Sequence, residues 1–108
     1  MKVIAKPRGG GKTTELLRIA NDHFYYIVCH TRDRCYQLAD IAKDRGYDIP
    51  FPFTYAEYLD SGFYRKGIKG LAIDDLDLFV AYMSRDLVKA VTISTNDDNT
   101  ENPLTKGG

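Results

Sequence analysis

Lys6 to Glu15 reads K-P-R-G-G-G-K-T-T-E, three consecutive glycines followed by Lys12, Thr13 and Thr14. Glycine admits positive φ and lets backbone approach a ligand without a Cβ in the way. Three in a row at a helix start therefore aim amide N–H groups at phosphate oxygens, where the helix end is also positive. A lysine directly after such a loop adds a fixed charge, and the next hydroxyl can hold a divalent cation. The stretch fits the pattern G-x-x-x-x-G-K-[ST] at every position but the first, where Lys6 replaces glycine. The alternative is a glycine-rich surface turn, and the flanking sequence decides between the two.

Before the loop, Lys2 to Ala5 is a short apolar run, and after it Thr13 to Asp22 places Leu16, Ile19 and Ala20 on one helical face. That order is strand, loop, helix. Phe24 to Cys29 is β-branched and aromatic enough for a buried strand. After a polar break at His30 to Asp33, helical spacing of Cys35, Leu38, Ala39 and Ala42 runs to Gly46, a helix-terminating glycine. Pro50 and Pro52 interrupt regularity. Thr54-x-x-Glu57 is a capping box, with Phe53 and Tyr58 placed as a hydrophobic staple, and it predicts a short helix from Tyr55 to about Asp60. Leu71 to Ile73 reads as a third strand, Leu76, Phe79, Val80 and Met83 as another helical stripe, and Ala90 to Thr95 as a fourth strand. Strands alternating with helices predict an α/β fold with a parallel sheet, right-handed crossovers and ligands at the carboxyl ends of the strands.

The 108 residues suit one domain over 1–96 followed by a polar tail over 97–108. Fifteen basic residues balance fifteen acidic ones, so no overall field favours a polyanion and any such contact must be local. Met1 leads straight into Lys2 and a short apolar run, which predicts neither a secretory leader nor a membrane span, and hence a cytoplasmic protein. Cys29 and Cys35 with His23 and His30 match no paired zinc spacing and read as reduced core thiols.

Two further elements bear on the loop. Leu71-Ala-Ile-Asp74 ends an apolar strand in a carboxylate, the group that holds a magnesium shell beside a phosphate cradle, and Asp75 follows it. Taken alone, the pair reads equally as a solvated helix start with Asp75 as N-cap. Ala90 to Thr95 leads to Ser94, Thr95 and Asn96, polar groups at a strand end that suit a γ-phosphate contact.

Together, Lys6 to Thr13, Leu71 to Asp75 and Val91 to Asn96 resemble a minimal P-loop NTPase of the additional-strand (RecA/AAA-like) class, similar to small phage or prophage ATPase-like proteins. The resemblance implies a three-layer P-loop fold with about four core strands in the order 2-3-4-1. It implies ATP or another NTP with Mg2+ as ligands, bound by Arg8, Gly9, Gly10, Gly11, Lys12, Thr13, Thr14 and Asn96. Thr13 and Asp74 would hold the metal, Lys12, Asp74 and Asp75 would be catalytic, and the location would be the host cytoplasm if the chain is phage-encoded. Asp75 stands where many members of the class carry a glutamate that orients the attacking water. The deviant MinD-type loop is not matched, since its extra lysine would fall at Pro7.

The chain after Asn96 is too short for the helical lid of a conventional AAA protein, and a nucleotide kinase needs a lid and base-binding insert that this length hardly accommodates. Arg85 and Arg32 are available as arginine fingers, and a neighbouring subunit is another source. Arg32 and Arg34, and the Arg65, Lys66 and Lys69 stretch beside Phe63 and Tyr64, are candidate nucleic-acid contacts, with a solvated basic surface as the alternative. Two functions follow: an ATPase working with a nucleic-acid partner, a protein partner or further copies of itself, or a non-hydrolysing module that docks on a host or phage protein. Intact Lys12, Thr13 and Asp74 favour the first, whereas Lys6 and Asp75 favour the second.

Overall fold

The computed structural model describes residues 1–7, 9–61 and 68–94. Arg8, the Gly62–Gly67 stretch with Phe63, Tyr64, Arg65 and Lys66, and Thr95, Asn96 and the tail lie outside the described residues. In chain order the elements are helix α1 (Lys12–His23), strand β1 (Tyr26–Cys29), helix α2 (Arg32–Asp44), strand β2 (Phe53–Thr54), helix α3 (Tyr55–Ser61), strand β3 (Leu71–Ile73) and helix α4 (Leu76–Ser84). The sheet is parallel, in the order β2-β1-β3, with Val28 opposite both Phe53 and Ile73.

Alternation along β1 divides the interior. Ile27 and Cys29 join Ala72 against Leu17 and Ala20 of α1 and Cys35, Leu38 and Ala42 of α2. Val28 points the other way, toward Tyr55 of α3 and Phe79 of α4, with Phe53, Tyr58, Leu71 and Ile73 packed around them. Helices therefore cover both faces of the sheet, which is why its strands are apolar runs rather than alternating ones. Full burial of each such side chain contributes about 1.5–3 kcal/mol, and Leu17, Ile27, Val28 and Leu38 are completely buried.

Local rules set most boundaries. Phe24 takes a left-handed conformation, φ 58°, and its N–H and that of Tyr25 both donate to the Ala20 carbonyl. Phe24 is thus used to end α1, so the strand expected from Phe24 begins at Tyr26. Gly46, φ 72°, closes α2 as expected, with Tyr47 N–H donating to the Ala42 carbonyl at 2.8 Å. The capping box at α3 is present in both directions: Thr54 N–H donates to Glu57 Oε1 at 3.0 Å, and Glu57 N–H donates to Thr54 Oγ1 at 3.1 Å. Leu17 lies deeper in α1 than Leu16 or Ile19, a one-residue rotation from the expected face.

The sheet departs from the expected order 2-3-4-1. The expected second and third strands are neighbours, as β1 and β3. Among the described residues, however, neither Lys2 to Ala5 nor residues 90–94 belong to it, and the third strand is Phe53–Thr54. Strand propensity reflects fit to a half-buried pleated surface, and Val91 is 63% exposed. Phe53–Thr54, in contrast, follows the Pro50 and Pro52 break, which disfavours helix at Ile49 and Phe51, and pairs in parallel with Val28 and Cys29 of β1. Without the fourth strand the α4 stripe is only partly used: Phe79 is buried, while Leu76 and Met83 are 43% and 48% exposed. Among the described residues no helix is long and apolar enough to cross a membrane.

The capping box has a pH signature. The Thr54 N–H, and then the Arg32 guanidinium at 2.8 Å, hold the Glu57 carboxyl below its ordinary value of 4.5. A depressed carboxyl contributes stability above its ordinary value and loses it as pH falls through the folded one. Thermal melting should therefore decline on acidification below about pH 4.5. Glu57→Gln, which keeps a capping oxygen but not the charge, should make that decline shallower while lowering Tm only slightly at pH 7. Superimposable pH profiles for the two proteins would exclude this role.

Candidate functional site

The three loop glycines are needed for different reasons. Gly9 and Gly11 have φ of 80° and 86°, a region in which L side chains are strained. Gly10 has an ordinary backbone but no room, since a Cβ there would lie 2.9 Å from the Pro7 carbonyl oxygen and 3.0 Å from Lys6 Cβ. Its N–H donates to the same Pro7 carbonyl at 2.9 Å, closing the turn. Gly11 is the N-cap of α1 and offers no side-chain cap, so the first-turn amides of Lys12, Thr13 and Thr14 stand at a positive helix end without a capping oxygen.

Parallel strands all end on the same side, which brings the ends of β1 and β3 together. Asp74 N–H extends the ladder by donating to the Val28 carbonyl at 2.9 Å. The Asp74 residue is 8% exposed. Its Oδ2 accepts from Arg34 Nε at 3.0 Å, and Arg34 Nη2 donates to Thr13 Oγ1 at 3.2 Å. Thr13 and Asp74, 61 positions apart in sequence (74 − 13), thus converge on one guanidinium. Arg34 Nη1 donates to Gln37 Oε1 at 3.2 Å, one turn further along α2. A hydroxyl and a carboxylate gathered around one positive group form a donor set that suits Mg2+, which takes one or two protein oxygens and completes its shell with water and phosphate.

Burial works against the Arg34 cation, but the hydrogen bond and charge of Asp74 outweigh it and raise the guanidinium above its ordinary value. Arg34 was expected among nucleic-acid contacts, yet it is turned toward Asp74. Arg32, expected in the same group, pairs with Glu57. Arg85 caps the far end of α4, about 15 Å along the helix from Asp75, which does not bring it to this site as a finger. Ser94 is exposed at the end of the described residues.

Asp75 is the N-cap of α4 but makes no side-chain cap hydrogen bond, and its φ of 58° is left-handed. Aspartate tolerates that region better than glutamate does, a backbone reason for the shorter acid at this position. What holds the turn is Tyr55, which the sequence marked only as the start of a short helix. Its buried hydroxyl donates to the Asp74 carbonyl and lies 3.0 Å from the Asp75 carbonyl, sharing one proton between them. Burial, and then the negative charges of Asp74 and Asp75, push the Tyr55 hydroxyl up and keep it a donor. Its ring packs on Phe79 and against His30, with centroids 4.9 and 5.6 Å away. The available signal was position: Tyr55 is the first residue after a capping Thr54, which fixes its direction toward the sheet.

Cys29 ends β1 beside this cluster, its Sγ 3.3 Å from that of Cys35, and both are fully buried. Burial, followed by the contact with Cys35, pushes the Cys29 thiol well up, so it is a packing group rather than a nucleophile.

Removing the Tyr55 hydroxyl should loosen the Asp74–Asp75 turn. Tyr55→Phe is expected to cost about 1–3 kcal/mol in urea unfolding and to speed amide exchange in the first turn of α4. Wild-type values for both would reduce Tyr55 to a packing ring. The chain matches no protein-family model, no curated protein and no solved structure.

Proposed function

We propose that the chain binds ATP or another NTP with Mg2+ at the Gly9–Thr14 loop, and that it is a slow ATPase of phage origin, the class its sequence resembles, acting with a nucleic-acid or protein partner. The observation that supports this most is the meeting of Thr13 and Asp74 on one cation beside a loop whose glycines are required, Gly9 and Gly11 by positive φ and Gly10 by lack of room. A glycine-rich turn alone gives no reason for the residue after β3 and the first turn of α1 to share one guanidinium.

In this reading the first-turn amides of α1 and the loop backbone of Gly9 to Gly11 receive the phosphates, and Lys12 contacts the β and γ groups. Thr13 and Asp74 hold Mg2+, which when bound neutralises charge developing on the transferred phosphoryl group. Asp75, exposed at the mouth, accepts a proton from water and orients it. Its carboxylate falls about one methylene short of a glutamate, and misplacement near 1 Å costs on the order of a hundredfold. Arg85 and Arg32, the arginines available as fingers, are directed elsewhere, which favours slow basal turnover. Arg32 is engaged with Glu57, which leaves Lys69, with Arg65 and Lys66, as the remaining candidate contacts for a nucleic acid.

A non-hydrolysing docking module is the second reading. Exposed apolar side chains on and after α4 favour it, with Leu87 at 77% and Val91 at 63% beside Leu76, Tyr82 and Met83. Calorimetric titration with ATP and Mg2+, followed by phosphate release on the same sample, separates the two.

Lys12→Ala should weaken ATP affinity at least about tenfold while leaving Tm unchanged, because charge-assisted hydrogen bonds contribute about 1.5–3 kcal/mol each. Undiminished affinity in the folded variant would remove the functional reading of the loop. For hydrolysis, Asp75→Glu should raise the basal rate where water placement limits it, and Asp75→Asn should lower it. Rapid turnover by the purified chain that survives Asp75→Asn would rule out Asp75 as the group that positions water.

A further inference from the structure

Arg34 does something the resemblance does not supply. All three of its guanidinium nitrogens are engaged, with partners on three elements: Asp74 after β3, Thr13 in α1 and Gln37 in α2. The side chain is 29% exposed and that of Asp74 only 10%. A carboxylate so nearly buried requires a counter-charge, and arginine cannot shed its own by deprotonation. The two oxygens that suit Mg2+ are therefore already satisfied by a permanent cation belonging to the chain. Mg2+ needs oxygens at about 2.0–2.1 Å, closer than the 3.0 Å of the guanidinium, so both cations cannot sit on Asp74 Oδ2 and Thr13 Oγ1 together.

We propose that Arg34 is the resident cation of the Thr13–Asp74 position, excluding Mg2+ on its own and yielding the position only when a phosphate group arrives with the metal to take over its N–H groups. The inference rests on the reading of Thr13 and Asp74 as metal ligands and adds how that site is regulated. The planar fork of arginine suits phosphate oxygens as well as it suits a carboxylate. Arg34 already contacts Thr13 at 3.2 Å in the first turn after the loop, which places its guanidinium beside phosphates bound there. Metal and nucleotide then bind as a coupled pair, each raising affinity for the other. Arg34 would be a positioning residue supplied by the chain itself, and Gln37 would steady it in the closed arrangement.

The test uses MgCl2 alone, without nucleotide, followed by calorimetry and thermal melting of the full chain. Wild type should show little binding and little shift. Arg34→Gln should bind Mg2+ at least about tenfold more tightly than wild type and be stabilised by it. Adding Asp74→Asn to Arg34→Gln should abolish that gain. Should Arg34→Gln fail to fold, Arg34→Lys, which keeps the charge but not the fork, should show a smaller gain of the same sign. Equal Mg2+ affinity in wild type and the Arg34 variants, or a gain that survives Asp74→Asn, would overturn the proposal. Its failure is separable from that of the nucleotide reading: if ATP with Mg2+ binds in a manner dependent on Lys12 and Asp74 while Arg34→Gln gains no Mg2+ affinity, the function stands and the role of Arg34 falls.

Discussion

The Asp74 carboxylate is the constraint around which the carboxyl edge of the sheet is arranged. A charge this nearly buried would cost several kcal/mol if left alone, and the fold meets it from three sides. Arg34 supplies the opposite charge, the β-ladder fixes the backbone through the Val28 carbonyl, and Tyr55 takes up the carbonyl that the ladder leaves over. Each contact comes from a different element, so α2, β1 and α3 all converge where β3 ends.

That convergence explains why short elements suffice. β2 has two residues and β3 three, too few for hydrogen bonding alone to make a stable sheet. Val28, with partners on both sides, carries the register, and the apolar clusters on the two faces hold the helices against it. Gly70 completes the approach: a Cβ there would come within 2.7 Å of the Tyr25 ring, so only glycine lets β3 lie this close to the start of β1. Lys2 reaches Glu15 across the surface at 3.4 Å, a pair too exposed to contribute much stability.

The α4 side of the sheet is built differently. Phe79 alone of its expected stripe is buried, and the residues that follow the helix turn apolar groups outward. The α1–α2 side has no such imbalance, since Leu17, Ala20, Cys35, Leu38 and Ala42 are all enclosed. Exposed apolar side chains therefore run the length of α4, from Leu76 beside Asp75 to Leu87 and Val88 beyond its other end.

Much of this was legible from local chemistry. The Thr54–Glu57 box, the glycine closing α2, the helix after Gly11 and the apolar runs of β1 and β3 all follow from rules that act within a few residues: which side chain can cap an amide, which residue accepts positive φ, which pattern buries one face. The meeting of Thr13 and Asp74 on Arg34 follows from no local rule. Pairing could not be read this way. Residues 90–94 have the composition of a strand and lie outside the sheet among the described residues, whereas Phe53–Thr54 was read as a helix approach and became one of its edges, because membership depends on which surface is left to cover. Two side chains were also decided only by the tertiary structure. Arg34 looked like a surface cation and Tyr55 like the first residue of a short helix, until folding placed the nearly buried Asp74 carboxylate beside the one and the Asp74 and Asp75 carbonyls beside the other.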